Sequence, residues 1–189
     1  MIITPPAAEG ATGKVAEMYA GDIDSDGFVF GHTAAMATNP EAYTAFEALI
    51  RAVVPSIGIG VYEAATLGAA RAIGSPHCLL AHGRKALRAG VVDESGLTDF
   101  AHGDDSGFSE AEQAVIRYAE RLSTDPASMT DADTQALRDA GFIDRQIVDI
   151  TLAAAARNYF SRALLALAVP TDEVPGLDPA IATALRAAR

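Results

Sequence analysis

Cysteine is almost absent from the sequence: Cys78 is the only one in 189 residues. No disulfide can form within the chain, and the expected setting is the reducing cytoplasm. Tryptophan is missing, and aromatic residues make up only 6% of the chain. Basic residues are also scarce. Fourteen Lys and Arg stand against 25 Asp and Glu, for a net charge of −11. Lys14 and Lys85 are the only lysines, and the arginines are scattered. A protein that follows a phosphate backbone needs a concentrated basic surface, so nucleic acid is excluded as a partner. No unbroken apolar run approaches the ~18 residues of a membrane span, so no membrane partner is expected. The opening Met-Ile-Ile-Thr-Pro-Pro lacks the basic region and apolar core of a signal peptide.

Alanine is what the chain has in excess, with 40 residues against 14 Leu, 12 Ile and 11 Val. Alanine at that density favours helices and close contacts between them, so an all-α fold is expected. Half of the residues are apolar, enough for a real core. The expected organisation is an N-terminal arm with a short helix over 1–27, a helical domain over 28–170 and a C-terminal tail over 171–189.

Helix signals punctuate the domain. Asn39-Pro40 reads as an N-cap followed by Pro at the first helical position, opening a helix to about Val54. Pro55, Gly58 and Gly60 read as a loop, and the next helix runs from about Val61 to Ile73. Gly74 stops it, and Ser75-Pro76 opens another. Ser109 to Glu112 is a capping box. The longest helix is expected from Asp144 to Ala168, and Ala180 to Ala188 reads as a poorly anchored last one. The stretch Gly21 to Gly27 imitates the start of a calcium loop, with Asp22, Asp24 and Asp26 in place. The closing bidentate Glu is missing, since Thr33 occupies that position, so the stretch reads as a solvated acidic turn.

The segment Glu63 to His82 carries the chemistry. With Ser75 as N-cap and Pro76 at N1, Cys78 falls at N3 of its helix. A thiol there meets unpaired N–H groups and the positive end of the helix dipole, which favour the thiolate. His82 is four residues on and shares the face of Cys78, where an imidazole can take the proton of a thiol. The Gly74 turn folds two helices into an antiparallel hairpin. Glu63 lies 11 residues before Gly74 and His82 lies 8 after it, an offset of ~4.5 Å along the axis. A buried Glu63 then orients the imidazole, as the third member of a triad does. Two blander readings stand beside this one. Cys78 and His82 can be ordinary core residues, and Cys78, His82, Glu63 and His77 can instead be metal ligands. His32 and His102 read as lying in Gly-flanked loops and receive no role. Asn158, Tyr159 and Arg162 read as polar positions on an interface of the long helix.

Glu63, eleven intervening residues, then Ser75-Pro76-His77-Cys78 and His82 resemble the signature of the alkylhydroperoxidase D and carboxymuconolactone decarboxylase superfamily. Weaker likenesses flank it at Asn39-Pro40-Glu41, at Phe108 to Glu112 and at Ala140 to Asp144, extending over about residues 28–170. The resemblance implies an alkylhydroperoxidase D-like helical bundle whose central hairpin carries the site. It implies a homo-oligomer, trimer or hexamer, and it implies no cofactor and no metal. By position, Cys78 is the attacking thiol, Glu63 and His82 relay protons, and Ser75 and His77 support them. Ser75 replaces the first cysteine of the family's Cys-x-x-Cys pair. It is expected to cap the helix and donate a hydrogen bond to the thiolate.

The function expected is thiol-dependent hydroperoxide reduction by one cysteine, with an external thiol as reductant. The alternatives are a lactone decarboxylase or isomerase that uses His82 and Glu63, and a non-catalytic oligomer with a degenerate site.

Overall fold

The computed structural model describes residues 1–188. Arg189, the end of the expected tail, lies outside the described residues. The elements in chain order are α1 (Gly13–Asp26), α2 (Gly31–Met36), α3 (Pro40–Ile73), α4 (Pro76–Arg88), α5 (Glu94–Ala101), α6 (Glu110–Thr124), α7 (Asp131–Asp139), α8 (Asp144–Ala166) and α9 (Pro179–Ala187). A single 3-10 turn, Pro126–Ser128, joins α6 to α7, and no strand occurs among the described residues. The all-α expectation is met.

The C-terminal half of α3 is the axis of the bundle. It packs most extensively on α6 and α8, and then on α4. Small residues make this possible. Ala64, Ala65, Ala69 and Ala70 are fully buried. At Gly68 an added Cβ would stand 2.7 Å from the carbonyl oxygen of Ile116. The backbones of α3 and α6 therefore approach closely, and any side chain at Gly68 would push them apart. Leu67, Leu79, Leu80, Ile116, Ile150 and Leu164 fill the space around this seam. Each contributes about 1.5–3 kcal/mol by leaving water.

The loop expected at residues 55–60 is instead a kink within α3. Pro55 has no N–H for the helix ladder, and Gly58 adopts φ 79°, ψ 166°, which only glycine reaches without strain. The chain stays helical on both sides, so one bent helix replaces two. By length and composition alone α3 could cross a bilayer. The run from Tyr62 to Arg71 lies buried inside the bundle, whereas the apolar window that meets that test is only 11% buried.

The acidic stretch is also different from its expectation. Helix α1 continues through it to Asp26, and Gly27 closes the helix at φ 83°. Asp26 is not solvated, because it is paired with Arg84 on α4 and both side chains are buried. Asp22 accepts the backbone N–H of Phe30 at 2.9 Å, and only Asp24 and its exposed neighbours face water. The last helix is firmly seated. Ile181 and Leu185 are buried, and α9 packs on α4 and α5. The segment leading to α9 is tied down on the way. Asp172 accepts the N–H of Gly31, and the carbonyl of Pro175 accepts from Arg84.

Arg71 locks the far end of α3. It donates to Glu120 at 2.6 Å, to Asp105 at 2.8 and 3.2 Å and to the carbonyl of Phe100 at 2.8 Å. Its guanidinium also lies 4.0 Å from the centre of the Phe100 ring. The forked cation joins α3, α5, α6 and the loop before α6. Removing it strands two partly buried carboxylates. Arg71→Met is therefore expected to lower the unfolding free energy by about 2–4 kcal/mol, with Glu120's access to water keeping the loss below the extreme. Arg71→Lys should recover only part of it, because an ammonium cannot make the fork. Urea denaturation measures both. A loss below about 1 kcal/mol for Arg71→Met would show that this cluster does not hold the bundle.

Candidate active site

Gly74 closes α3 in the left-handed conformation, φ 69°, and turns the chain into α4. The hairpin that results brings Glu63 and His82 together. Oε2 of Glu63 lies 2.6 Å from Nδ1 of His82, and both side chains are buried. Burial pushes the Glu63 carboxyl up to about 7, while Lys85 and Arg157 pull it back. Burial, reinforced by Arg157 and Lys85, holds His82 well below its ordinary value. Nδ1 is committed to Glu63, and Nε2 has no protein partner among the described residues. The ring lines a cavity of about 230 Å³. The edge of Tyr62 packs against it with ring centres 6.0 Å apart.

Cys78 stands at N3 of α4 and opens on the same cavity. No hydrogen bond joins it to His82 among the described residues. Its partners come from α8 instead. Ser161 Oγ donates to Sγ at 3.1 Å, and Nη1 of Arg157 donates to Sγ at 3.5 Å. Nη2 of Arg157 reaches the Tyr62 hydroxyl at 3.2 Å. Arg157 is 4% exposed, and no carboxylate lies within ion-pair distance of it among the described residues. Burial opposes its charge, yet the thiol and the phenol beside it hold its pKa above the ordinary arginine value. A buried guanidinium needs an anion.

Ser75 does not act as expected. It occupies the N-cap position, but its hydroxyl caps nothing and reaches no acceptor. It accepts neither the His77 nor the Cys78 N–H, the usual donors to an N-cap, and the buried Ser75 Oγ remains without a partner among the described residues. Ser161 makes the bond to sulfur in its place. His77 bonds through Nε2 to the carbonyl of Pro170 at 3.0 Å, pinning the chain after α8 to α4. Among the described residues no three His, Cys, Asp or Glu side chains are grouped to hold a metal ion.

Arg157, Ser161 and Tyr62 are absent from the sequence reading, and His32, expected in a loop without a role, lines the cavity from a helix. His32 lies on α2, stacked on Phe30 and edge-on to Phe160, and burial pushes it down to about 4. His102 is exposed at the end of α5 and bonds to the carbonyl of Thr98. Asn158 and Arg162, singled out on α8, both turn toward Ser123 on α6. Tyr159 is exposed and stacks on Phe46. The site residues Arg157 and Ser161 sit one position earlier in each case. The available signal was a charged residue ending the run Ala153 to Ala156, followed at i+4 by a hydroxyl.

No protein-family model matches the sequence, and neither does any curated protein. Solved structures do match. A peroxidase-related protein from Ralstonia eutropha JMP134, described as an alkylhydroperoxidase AhpD core, aligns with a TM-score of 0.75 over 91% of this chain and 92% of its own, at 20% identity. A peroxidase-related protein from Silicibacter sp. TM1040 gives 0.76 over 90% and 91%, also at 20%. The debrominase Bmp8, as a cysteine-to-alanine variant with 2,3,4-tribromopyrrole, gives 0.73 over 98% and 96%, again at 20%. The chain has the alkylhydroperoxidase D-like fold. Within this fold the hairpin α3–α4 brings Glu63 to His82, while α8 supplies the groups that hold the thiol.

The arrangement pairs a thiol beside a buried cation with a carboxyl–imidazole couple open to the same cavity. Arg157→Met should slow alkylation of Cys78 by iodoacetamide at neutral pH about tenfold, because the thiolate loses its counter-charge. Ser161→Ala should slow it less, by about two- to threefold. Arg157→Met should not weaken the fold, since it removes a buried charge that no carboxylate matches. An unchanged alkylation rate in Arg157→Met would show that the guanidinium does not hold the thiolate.

Proposed function

We propose that this protein is a thiol-dependent reductase in which Cys78 attacks a small hydroperoxide. One observation carries this reading. The buried Arg157 has the Cys78 thiol as its readiest source of an anion, inside a cavity that also holds the free nitrogen of His82. The ionised sulfur attacks the outer oxygen of R–O–O–H. The O–O bond breaks, sulfur is oxidised to a sulfenic acid, and the alkoxide leaves. The Glu63–His82 couple delivers a proton through Nε2 to that alkoxide. Two equivalents of an external thiol then return the sulfenic acid to the thiol, releasing water and a disulfide. No second cysteine exists to close an internal disulfide, so the reductant comes from outside.

A second reading is reductive removal of halogen from an aromatic ring. The likeness to the debrominase along nearly the whole chain supports it, and so does a cavity walled by Tyr43, Phe46, Tyr62 and Phe160. Two external thiols would replace the carbon–halogen bond by carbon–hydrogen, leaving a disulfide and the hydrogen halide. A decarboxylase or isomerase using only His82 and Glu63 would keep its turnover in Cys78→Ser, whereas both thiol readings lose it. The exposed apolar stripe of Val148, Leu152 and Tyr159 on α8 supports a homo-oligomer.

Substoichiometric tert-butyl hydroperoxide, with a sulfenic-acid trap present, should label Cys78 in the mass spectrum. A protein that turns over no peroxide and shows an unmodified Cys78 would sink the peroxidase reading. The proton couple has its own signature. Glu63 is pushed up to about 7, so its proton is present below that pH and lost above it. Peroxidase turnover should therefore fall as pH rises through about 7. Glu63→Gln cannot hold that proton. It should lower turnover by about 10²–10⁴-fold and flatten this limb while leaving alkylation of Cys78 nearly unchanged. A limb that survives in Glu63→Gln would assign it to another group.

A further inference from the structure

Among the Asp, Glu, Lys and Arg side chains that surround the Cys78 cavity, one is left without a partner. Glu47 is 3.6 Å from Arg51. Glu63 is bonded to His82, and Arg157 faces the thiol. Lys85 has no carboxylate within ion-pair distance among the described residues, although it lines the cavity. Its side chain is exposed, at the rim of that cavity. A cation in such a place gains from any anion that enters. One of only two lysines thus stands unpaired in a cavity of a protein with net charge −11.

The opposite wall is aromatic. Phe46 and Phe160 stack with ring centres 4.9 Å apart, and Tyr43 lies 6.4 Å from Phe160. Cys78 and Lys85 share one face of α4, seven residues and ~10.5 Å apart along its axis. Helical side chains lean toward the N-terminus, which brings the ammonium back toward the thiol. The remaining span suits a single substituted ring between an acidic group and the atom that meets sulfur.

We propose that this cavity selects small aromatic acids, arene carboxylates or phenolates, with Lys85 binding the acidic oxygen and the ring lying against Phe46 and Phe160. The charge count rests on the thiolate assigned above, because a neutral thiol would leave Arg157 as a second free cation. The selection reads out as binding and needs no turnover.

Calorimetric titration of the full chain with benzoate, its neutral isostere benzamide and acetate tests it. Benzoate should bind at least about tenfold more tightly than benzamide or acetate. Lys85→Met should bring benzoate down to the level of benzamide, and Lys85→Arg should keep the preference. Circular dichroism verifies that both variants are folded, which the exposed position of Lys85 favours. Benzamide or acetate binding as tightly as benzoate would overturn the proposal. So would a preference that persists in Lys85→Met, or saturable binding by none of the three probes. Cys78→Ser separates this proposal from the thiolate reading. With the thiolate gone, Arg157 becomes free and benzoate should bind a few-fold more tightly. Unchanged affinity there, with the Lys85 dependence intact, supports the acid site and removes the thiolate reading alone.

Discussion

A single cation without a carboxylate organises the site. Arg157 projects from α8 into the space between α3 and α4, where it meets the Tyr62 hydroxyl and the Cys78 sulfur. It also lies 5.6 Å from the centre of the Phe160 ring. None of these neighbours is a carboxylate. Burying a guanidinium costs several kcal/mol unless an opposite charge answers it. The fold therefore places a standing demand for negative charge at the point where the only cysteine stands.

Arg71, on the same central helix as Tyr62, shows the opposite solution. It is buried to a similar degree, yet Asp105 and Glu120 satisfy it completely with a carbonyl between them. That cation binds helices to one another and leaves no demand over. The two sites share geometry and differ in what answers the charge. A matched arginine holds structure, whereas an unmatched one is available for chemistry. The alanine and glycine seam of α3 brings both within one narrow bundle, because it lets α6 and α8 approach closely enough to reach them.

How much of this was legible depended on how firmly each helix was phased. Gly74 and Ser75-Pro76 mark a stop and a start within three consecutive residues. They set the register of α3 against α4, so Glu63, Cys78 and His82 could be placed without coordinates. Helix α8 offers no such mark. Apolar residues run around most of its circumference, and a shift of one position, ~100° on a helix, separates Asn158 from Arg157. The acidic stretch was misjudged for another reason. Its Asp, Ser and Gly residues favour turns locally, but the pairing of Asp26 with Arg84 rewards continued helix. The last helix looked free because Pro170, Pro175 and Pro179 read as linker. Ile181 and Leu185 nonetheless share one face, and α4 and α5 cover it.

The serine at position 75 changes the logic of the site. It is a buried hydroxyl without a partner among the described residues, and not a thiol. Glu63 and His82 are joined, and His82 opens on the cavity. The sulfur is held by Ser161 and Arg157. On the proposed thiol chemistry, an oxidised Cys78 must wait for a reductant that enters from outside. The cavity of about 230 Å³ has room for one small molecule at a time. Product must leave before that reductant can reach the sulfur, so the two halves of the reaction follow one another. A neighbouring cavity of about 220 Å³ shares His32, Tyr43, His77, Ala81 and Lys85 with the first. Lys85, the residue whose charge the first cavity leaves unanswered, thus borders both.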